Sequence, residues 1–175
     1  LLGHGHFAFG ETAKESYDLI VSHTQAVADY LKMEKPTKLF VREEHKVQHV
    51  LPVIRGLIAD MVGPNASMPI LDVRNGPDQR AFLERTEIDD LAKRGTASPD
   101  HVIRIKAKPL VLRKSVWSAG RDAIKAVIDE YASQYHAMFD RQAPSADQPK
   151  KILSPDPKTI WMEGIGFIGL GSNAK

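Results

Sequence analysis

Apolar positions recur along the chain at helical and strand periods, and they divide it into alternating elements. Tyr17, Ile20, Thr24, Val27 and Leu31 are three and four residues apart, the stripe of an amphipathic helix. Thr12-x-x-Glu15 ahead of it is a capping box, in which a hydroxyl and a carboxylate satisfy orphan N–H groups of the first turn. Pro36 ends the helix, since proline disfavours helical geometry in the residue before it. Residues 1–9 read as a short buried strand with Gly10 turning out of it, and 36–42 as a connector. A second helix is predicted over 43–62, with Val47, Val50, Leu51, Ile54, Leu57, Ile58 and Met61 on its apolar side. Pro52 inside that pattern means the helix is kinked there, or starts near it with Pro in the first turn.

Beyond Gly63-Pro64-Asn65, residues 68–73 read as a strand, followed by the turn Asn75-Gly76-Pro77 and short helices over 77–85 and 87–93. Residues 101–112 look strand-like: Arg104, Lys106 and Lys108 alternate with Ile103, Ile105 and Ala107, giving one basic and one apolar face. A long helix over 118–141 carries Ile124, Val127, Ile128, Tyr131, Tyr135 and Met138 on its buried stripe. Residues 143–157 hold four prolines and read as loop, 159–162 enter a closing strand, and 172–175 look like a helix start. Strands separated by helices predict an α/β fold, an α/β/α layered domain with a mixed sheet flanked by helices.

Composition narrows the function classes. The 175 residues are 42% hydrophobic and 26% charged, the profile of a globular chain long enough for a real core. A formal charge of +2 without a dense Lys/Arg block gives no argument for nucleic acid. The absence of Cys removes disulfides, thiolate metal sites and cysteine nucleophiles, and fits a cytoplasmic protein. No apolar run approaches the roughly 18 residues of a membrane span, so no membrane partner is expected.

The two ends of the chain echo one another. Gly3, Gly5, Gly10, Ala13 and Lys14 match Gly164, Gly166, Gly171, Ala174 and Lys175 at a constant offset, and Phe7 and Phe9 face Ile168 and Leu170. His4 and His6 are replaced by Ile165 and Phe167. Such self-similarity suggests a chain running from one copy of a motif to the next, a segment of a longer tandem protein.

Four features carry candidate chemistry. His4 and His6, two apart on a strand, would point to one face, where imidazoles can hold zinc if a third ligand joins them. His23, far down the helix, is not expected to converge with them. Arg104 and Lys106 could hold a phosphate, although such a row is more often the solvated face of an edge strand. Asp100-His101 could form an acid/base pair, weakened because neighbours on a strand face opposite ways. Gly164-x-Gly166-x-x-Gly169 spells a dinucleotide fingerprint, but too few residues follow for the βαβ unit it requires. The tyrosines Tyr17, Tyr131 and Tyr135 read as core.

LLGHGHFAFGETAKESYDLI at residues 1–20 resembles the end of a class II aldolase/adducin-type domain, where a His-Gly pair on a strand precedes a Gly turn and a long helix. The stretches LPVIRG (51–56), KRGTASPDHVIRIKAKPLVL (93–112) and DEYASQYHAMFDR (129–141) resemble the aldolase portion of bifunctional rhamnulose-1-phosphate aldolase/short-chain alcohol dehydrogenase proteins. The resemblance implies zinc-dependent aldol cleavage of a ketose 1-phosphate, so a sugar phosphate as the parent's partner, and NAD(P) in a downstream domain. It makes His4 the last zinc ligand of a first unit, whose other ligands would lie upstream. In the second copy the corresponding strand reads Ile70-Leu71-Asp72-Val73-Arg74, and the position of His4 is Ile165.

The organisation expected from this is a C-terminal strand and helix of a preceding aldolase unit over 1–35, then a second, degenerate aldolase-like unit over 36–175. That unit would be non-catalytic, without zinc or catalytic residues of its own, and would support homo-oligomer or domain packing. The alternatives are a sugar-phosphate-binding remnant using Arg104 and Lys106, and an oxidoreductase role belonging to the parent chain.

Overall fold

The computed structural model of the chain describes residues 5–33 and 49–173. His4, the connector predicted over 36–42 and the first residues of the helix predicted over 43–62 lie outside these. Helix α1 (Ala13–Met33) starts where the capping box places it. The Glu15 N–H donates to Thr12 Oγ1 at 3.1 Å, and the Glu15 carboxylate accepts from the Glu11 N–H at 2.8 Å. Its stripe is exposed, Tyr17 to 67% and Leu31 to 60%. Residues 5–9, the described part of the strand predicted over 1–9, have no regular structure. A strand forms only where its N–H and C=O groups find a neighbouring ladder, and no described strand runs beside them.

Helix α2 (Val50–Val62) begins just before Pro52, whose missing N–H falls among the first-turn groups that have no intrahelical partner anyway. Strand β1 (Ile70–Arg74) and helices α3 (Pro77–Leu83) and α4 (Ile88–Lys93) follow as the pattern predicts. The strand predicted over 101–112 is a helix and a shorter strand, α5 (Pro99–Ile105) and β2 (Leu110–Leu112). Pro99 sits in the first turn of α5 with Asp100 beside it, both favourable at a helix start. Lys106 ends the helix at φ 67°, and Pro109, which cannot donate to a ladder, delays the strand to Leu110. Arg104 and Lys106 therefore do not share a strand face.

The long helix predicted over 118–141 begins at Arg121 as α7 (Arg121–Gln142), and Gly120, at φ 102°, separates it from a short helix the pattern does not predict, α6 (Lys114–Ser118). A short 3₁₀ turn and an irregular strap lead to β3 (Thr159–Met162) and β4 (Gly166–Gly171). Residues 172–173 continue as a bend rather than a helix start.

The sheet order is β1-β4-β3-β2, with β2 parallel to β3 and the other two pairings antiparallel. The parallel pair needs a crossover, which α6, α7 and the strap supply. Register aligns Val73 with Ile168, Ile168 with Ile160, and Leu110 with Ile160, so these side chains line one face. Against that face Ile54 and Ile58 of α2 and Ile124 and Ile128 of α7 form the main core.

The alternate residues Trp161 and Phe167 meet Phe82 of α3 on the opposite face, with ring centroids 5.4 to 5.8 Å apart. Leu83, Ile88 and Ala92 are buried on α3 and α4. Helices thus flank a mixed sheet, the α/β/α arrangement the pattern predicts.

The β3–β4 hairpin is closed by glycine. Gly164 takes φ 75° and Gly166 φ 153°, and a Cβ on Gly166 would run into the Arg74 carbonyl on β1. Gly5, which aligns with Gly166 at the constant offset between the two ends of the chain, also has positive φ, at 134°. Arg113 locks the far side, donating to Asp89 of α4 at 2.8 Å and to the Thr86 carbonyl at 3.3 Å. Glu163 accepts from the Lys114 N–H at 2.9 Å and, through its carbonyl, from Trp117 Nε1 at 3.0 Å.

Candidate functional site

Polar chemistry gathers where α5 ends. Lys106 leaves the helix in a left-handed conformation that side chains rarely adopt, and its ammonium reaches across to α7 and the strap. Nζ lies 3.7 Å from the Tyr135 ring centroid and donates to the Ser154 carbonyl. Further along the strap Asp156 is buried, only 5% exposed, and takes a hydrogen bond of 2.6 Å from Lys158 on Oδ2. Its Oδ1 is buried without a hydrogen-bond partner among the described residues. Tyr131, one turn before Tyr135 on α7, donates to the Lys108 carbonyl at 3.0 Å.

The electrostatics agree with the geometry. Burial lowers the Lys106 ammonium from 10.5 to about 8; the Asp156 carboxylate opposes that shift and the Lys158 charge adds to it. Burial raises the Tyr131 phenol from 10.0 to about 12, and Asp156 and Tyr135 push the same way. One carboxylate therefore acts on a lysine from α5, a lysine from the strap and a tyrosine from α7.

Arg104 stands apart from this group, exposed on α5. Of the residues expected from sequence, only Lys106 enters it. Asp156, Lys158 and Tyr135 had no visible signal: two lie in or beside a stretch that reads as loop, and the third on a stripe that reads as core. Asp100 and His101 both sit in the first turn of α5, where His101 Nδ1 is 2.8 Å from Ser98 Oγ.

The histidines behave differently from their spacing. His23 does converge with His6, its Nδ1 lying 2.9 Å from His6 Nε2 with ring centroids 4.9 Å apart. This corrects the expectation that His23 stays remote: residues 5–10 form no strand and run back along α1. His4, the ligand implied by resemblance, lies outside the described residues. Ile165, which aligns with His4 at the constant offset, does not fit zinc: it has no donor atom on its side chain, is 4% exposed and belongs to the main core. Among the described residues no three His, Cys, Asp or Glu side chains come together as a metal cluster.

The glycine fingerprint does not fit a dinucleotide either. Gly164, Gly166 and Gly169 lie in an antiparallel hairpin, whereas a pyrophosphate site needs a strand, a turn and a helix N-terminus. A groove of about 440 Å³ between α2 and β1 is lined by Leu51, Pro52, Met68, Ile70 and Leu71, and its Arg55 Nε is committed to the Pro69 carbonyl at 2.7 Å.

A four-stranded mixed sheet with helices on both faces defines an α/β domain. Residues 45–175 match the family described as aldolase class II, second domain, and the chain belongs to that family. It is also similar to the "Uncharacterized oxidoreductase YuxG" of Bacillus subtilis (strain 168), at 25% identity over 189 aligned positions. That match covers 97% of this chain and 26% of the relative, so the chain spans about a quarter of the relative's length. No solved structure matches the chain. No helix among the described residues is long and apolar enough to cross a membrane.

Proposed function

We propose that this chain is a structural, non-catalytic aldolase-like unit within a longer bifunctional protein. In that parent a zinc-dependent ketose-1-phosphate aldolase is joined to an NAD(P)-dependent short-chain dehydrogenase, as in the rhamnulose-1-phosphate aldolase/alcohol dehydrogenase proteins. Residues 1–35 close the preceding aldolase unit, and His4 is a zinc ligand of that unit rather than of this one. The observation that carries the reading is Ile165. It occupies the position of His4 in the self-similar segments, and its side chain is built into the core instead of facing a metal.

Three further facts support the reading. The family match begins at residue 45 and leaves α1 outside it. The apolar stripe of α1 is exposed, as expected of a helix whose packing partner lies in another unit. The relative that this chain matches over a quarter of its length is called an oxidoreductase, which accords with a dehydrogenase elsewhere in the parent.

The test is aldol cleavage by the purified chain. With rhamnulose 1-phosphate and added zinc, release of dihydroxyacetone phosphate should stay at the level of buffer with zinc alone. Enzyme-dependent turnover would overturn the reading.

A further inference from the structure

Strand β1 is an outer strand of the sheet, and its far edge has no neighbour among the described residues. One hydrogen bond fixes which groups that edge offers. The Leu170 N–H of β4 donates to the Lys158 carbonyl at 2.9 Å, so Leu170, and with it Ile168, turns its backbone groups toward β3. Their register partners on β1, Leu71 and Val73, therefore turn theirs outward. The Pro69 carbonyl is already taken by Arg55, which closes the edge at that end. From Ile70 to Arg74 the register runs without a bulge, and the strand holds no proline or lysine, the devices that commonly protect an open edge. The groove between α2 and β1 leaves Met68 and Ile70 exposed at its rim. Outward N–H and C=O groups at Leu71 and Val73 are a template for a further strand.

The side chains select which strand. Leu71 and Val73 pack on the main core, so Ile70, Asp72 and Arg74 share the opposite face, where Asp72 and Arg74 are both exposed and paired at 2.8 Å. A second molecule's β1 laid antiparallel keeps the outward groups opposed with a two-fold axis at Leu71, Asp72 or Val73. An axis at Asp72 sets two aspartates directly opposite, and like charges there repel. An axis at Leu71 sets Ile70 against an aspartate and Val73 against Pro69, which lacks an N–H and whose carbonyl is occupied. An axis at Val73 sets Asp72 against Arg74 of the other molecule, and Arg74 against its Asp72. Both pairs then fall at non-hydrogen-bonded positions, where cross-strand side chains are closest.

We propose that two molecules of this chain pair antiparallel through β1, with the two-fold axis at Val73, into one continuous eight-stranded sheet. Val73 of each molecule exchanges both its hydrogen bonds with the other, and the reciprocal Asp72–Arg74 pairs set the register. The inference is independent of the function proposed above, which rests on Ile165.

Sedimentation velocity of the full chain over a concentration series tests it. A reversible monomer–dimer equilibrium is expected, with a dissociation constant on the order of 10 µM, since a single strand pair makes a small interface. Asp72→Arg and Arg74→Asp each oppose like charges and should weaken the dimer about tenfold or more, while the double variant carrying both should restore it. Val73→Pro removes the N–H at the axis, at an edge position that tolerates proline, and should give a monomer with unchanged circular dichroism. Leu31→Asp, on the exposed stripe of α1, controls for association through that helix and should leave the dimer intact. A monomer at every concentration up to about 1 mM, a dimer indifferent to both single charge changes, a double variant that does not re-form it, or a dimer lost with Leu31→Asp would overturn the proposal.

Discussion

Lys106 occupies a backbone position that glycine would fill without strain, and its side chain spans three segments. Two substitutions separate these effects. Lys106→Ala removes the side chain and keeps the Cβ at φ 67°, whereas Lys106→Gly removes both. The glycine variant should be the more stable of the two by about 1 kcal/mol, the left-handed penalty for a Cβ, in urea denaturation. Equal stabilities would show that the backbone is not strained there.

The same residue sets a pH dependence. Its folded pKa of about 8 lies below the ordinary 10.5, so between these values the unfolded chain binds more protons than the folded one. Stability therefore rises with pH through that window as far as Lys106 is concerned. Tyr131 has the opposite sign: its phenol keeps the proton up to about 12, so its contribution is lost as pH climbs from 10.0 to that value. The charged and titratable groups facing Lys106 are Tyr135 on α7 and Asp156 and Lys158 on the strap. Lys106→Met should abolish the alkaline rise in urea denaturation profiles and leave the later fall. A rise that survives the substitution would assign it elsewhere.

At the scale of elements, the hairpin and α2 make opposite demands on glycine. Gly166→Ala would drive a methyl group into the Arg74 carbonyl at a positive φ, costing about 2–3 kcal/mol and loosening the β1–β4 pairing. Gly56 lies within α2 with nothing near an added Cβ, so Gly56→Ala should stabilise by about 0.5–1 kcal/mol. Thermal melts of the two variants should move in opposite directions.

The elements legible in the sequence are those whose local signals agree. In α1 the capping box and the stripe point the same way, and the run that becomes β1 is bounded by Gly63-Pro64-Asn65 and Asn75-Gly76-Pro77. Residues 101–112 failed because alternation over a short run also suits a helix that ends in a tight turn. There the Ser98-Pro99-Asp100 start and Pro109 outweigh the alternation of Arg104, Lys106 and Lys108. The split at Gly120 and the hairpin at Gly164–Gly166 rest on positive φ, which a glycine permits but does not announce. The candidate site was legible only as a cation at Lys106. Its carboxylate comes from about fifty residues later, Asp156, and a buried aspartate in a proline-rich stretch looks no different from a solvated one.

For the molecule as a whole, stability comes from the core between the sheet and the α2/α7 layer. Ile160 is fully buried at its centre, and Ile160→Ala should cost about 2–5 kcal/mol in denaturant titration. The core also bears on function. Ile165, which aligns with His4 at the constant offset between the two ends of the chain, belongs to it, so packing occupies that position. Placing a metal-binding histidine there would require undoing part of the core as well as supplying further ligands. A structural unit in a longer protein is consistent with that choice, and the exposed stripe of α1 is consistent with a partner on its apolar side. The central claim, that this unit carries no zinc chemistry of its own, is tested most directly by elemental analysis of the purified chain after zinc loading and gel filtration. The account predicts zinc far below one equivalent per chain. One tightly retained zinc per chain would contradict it.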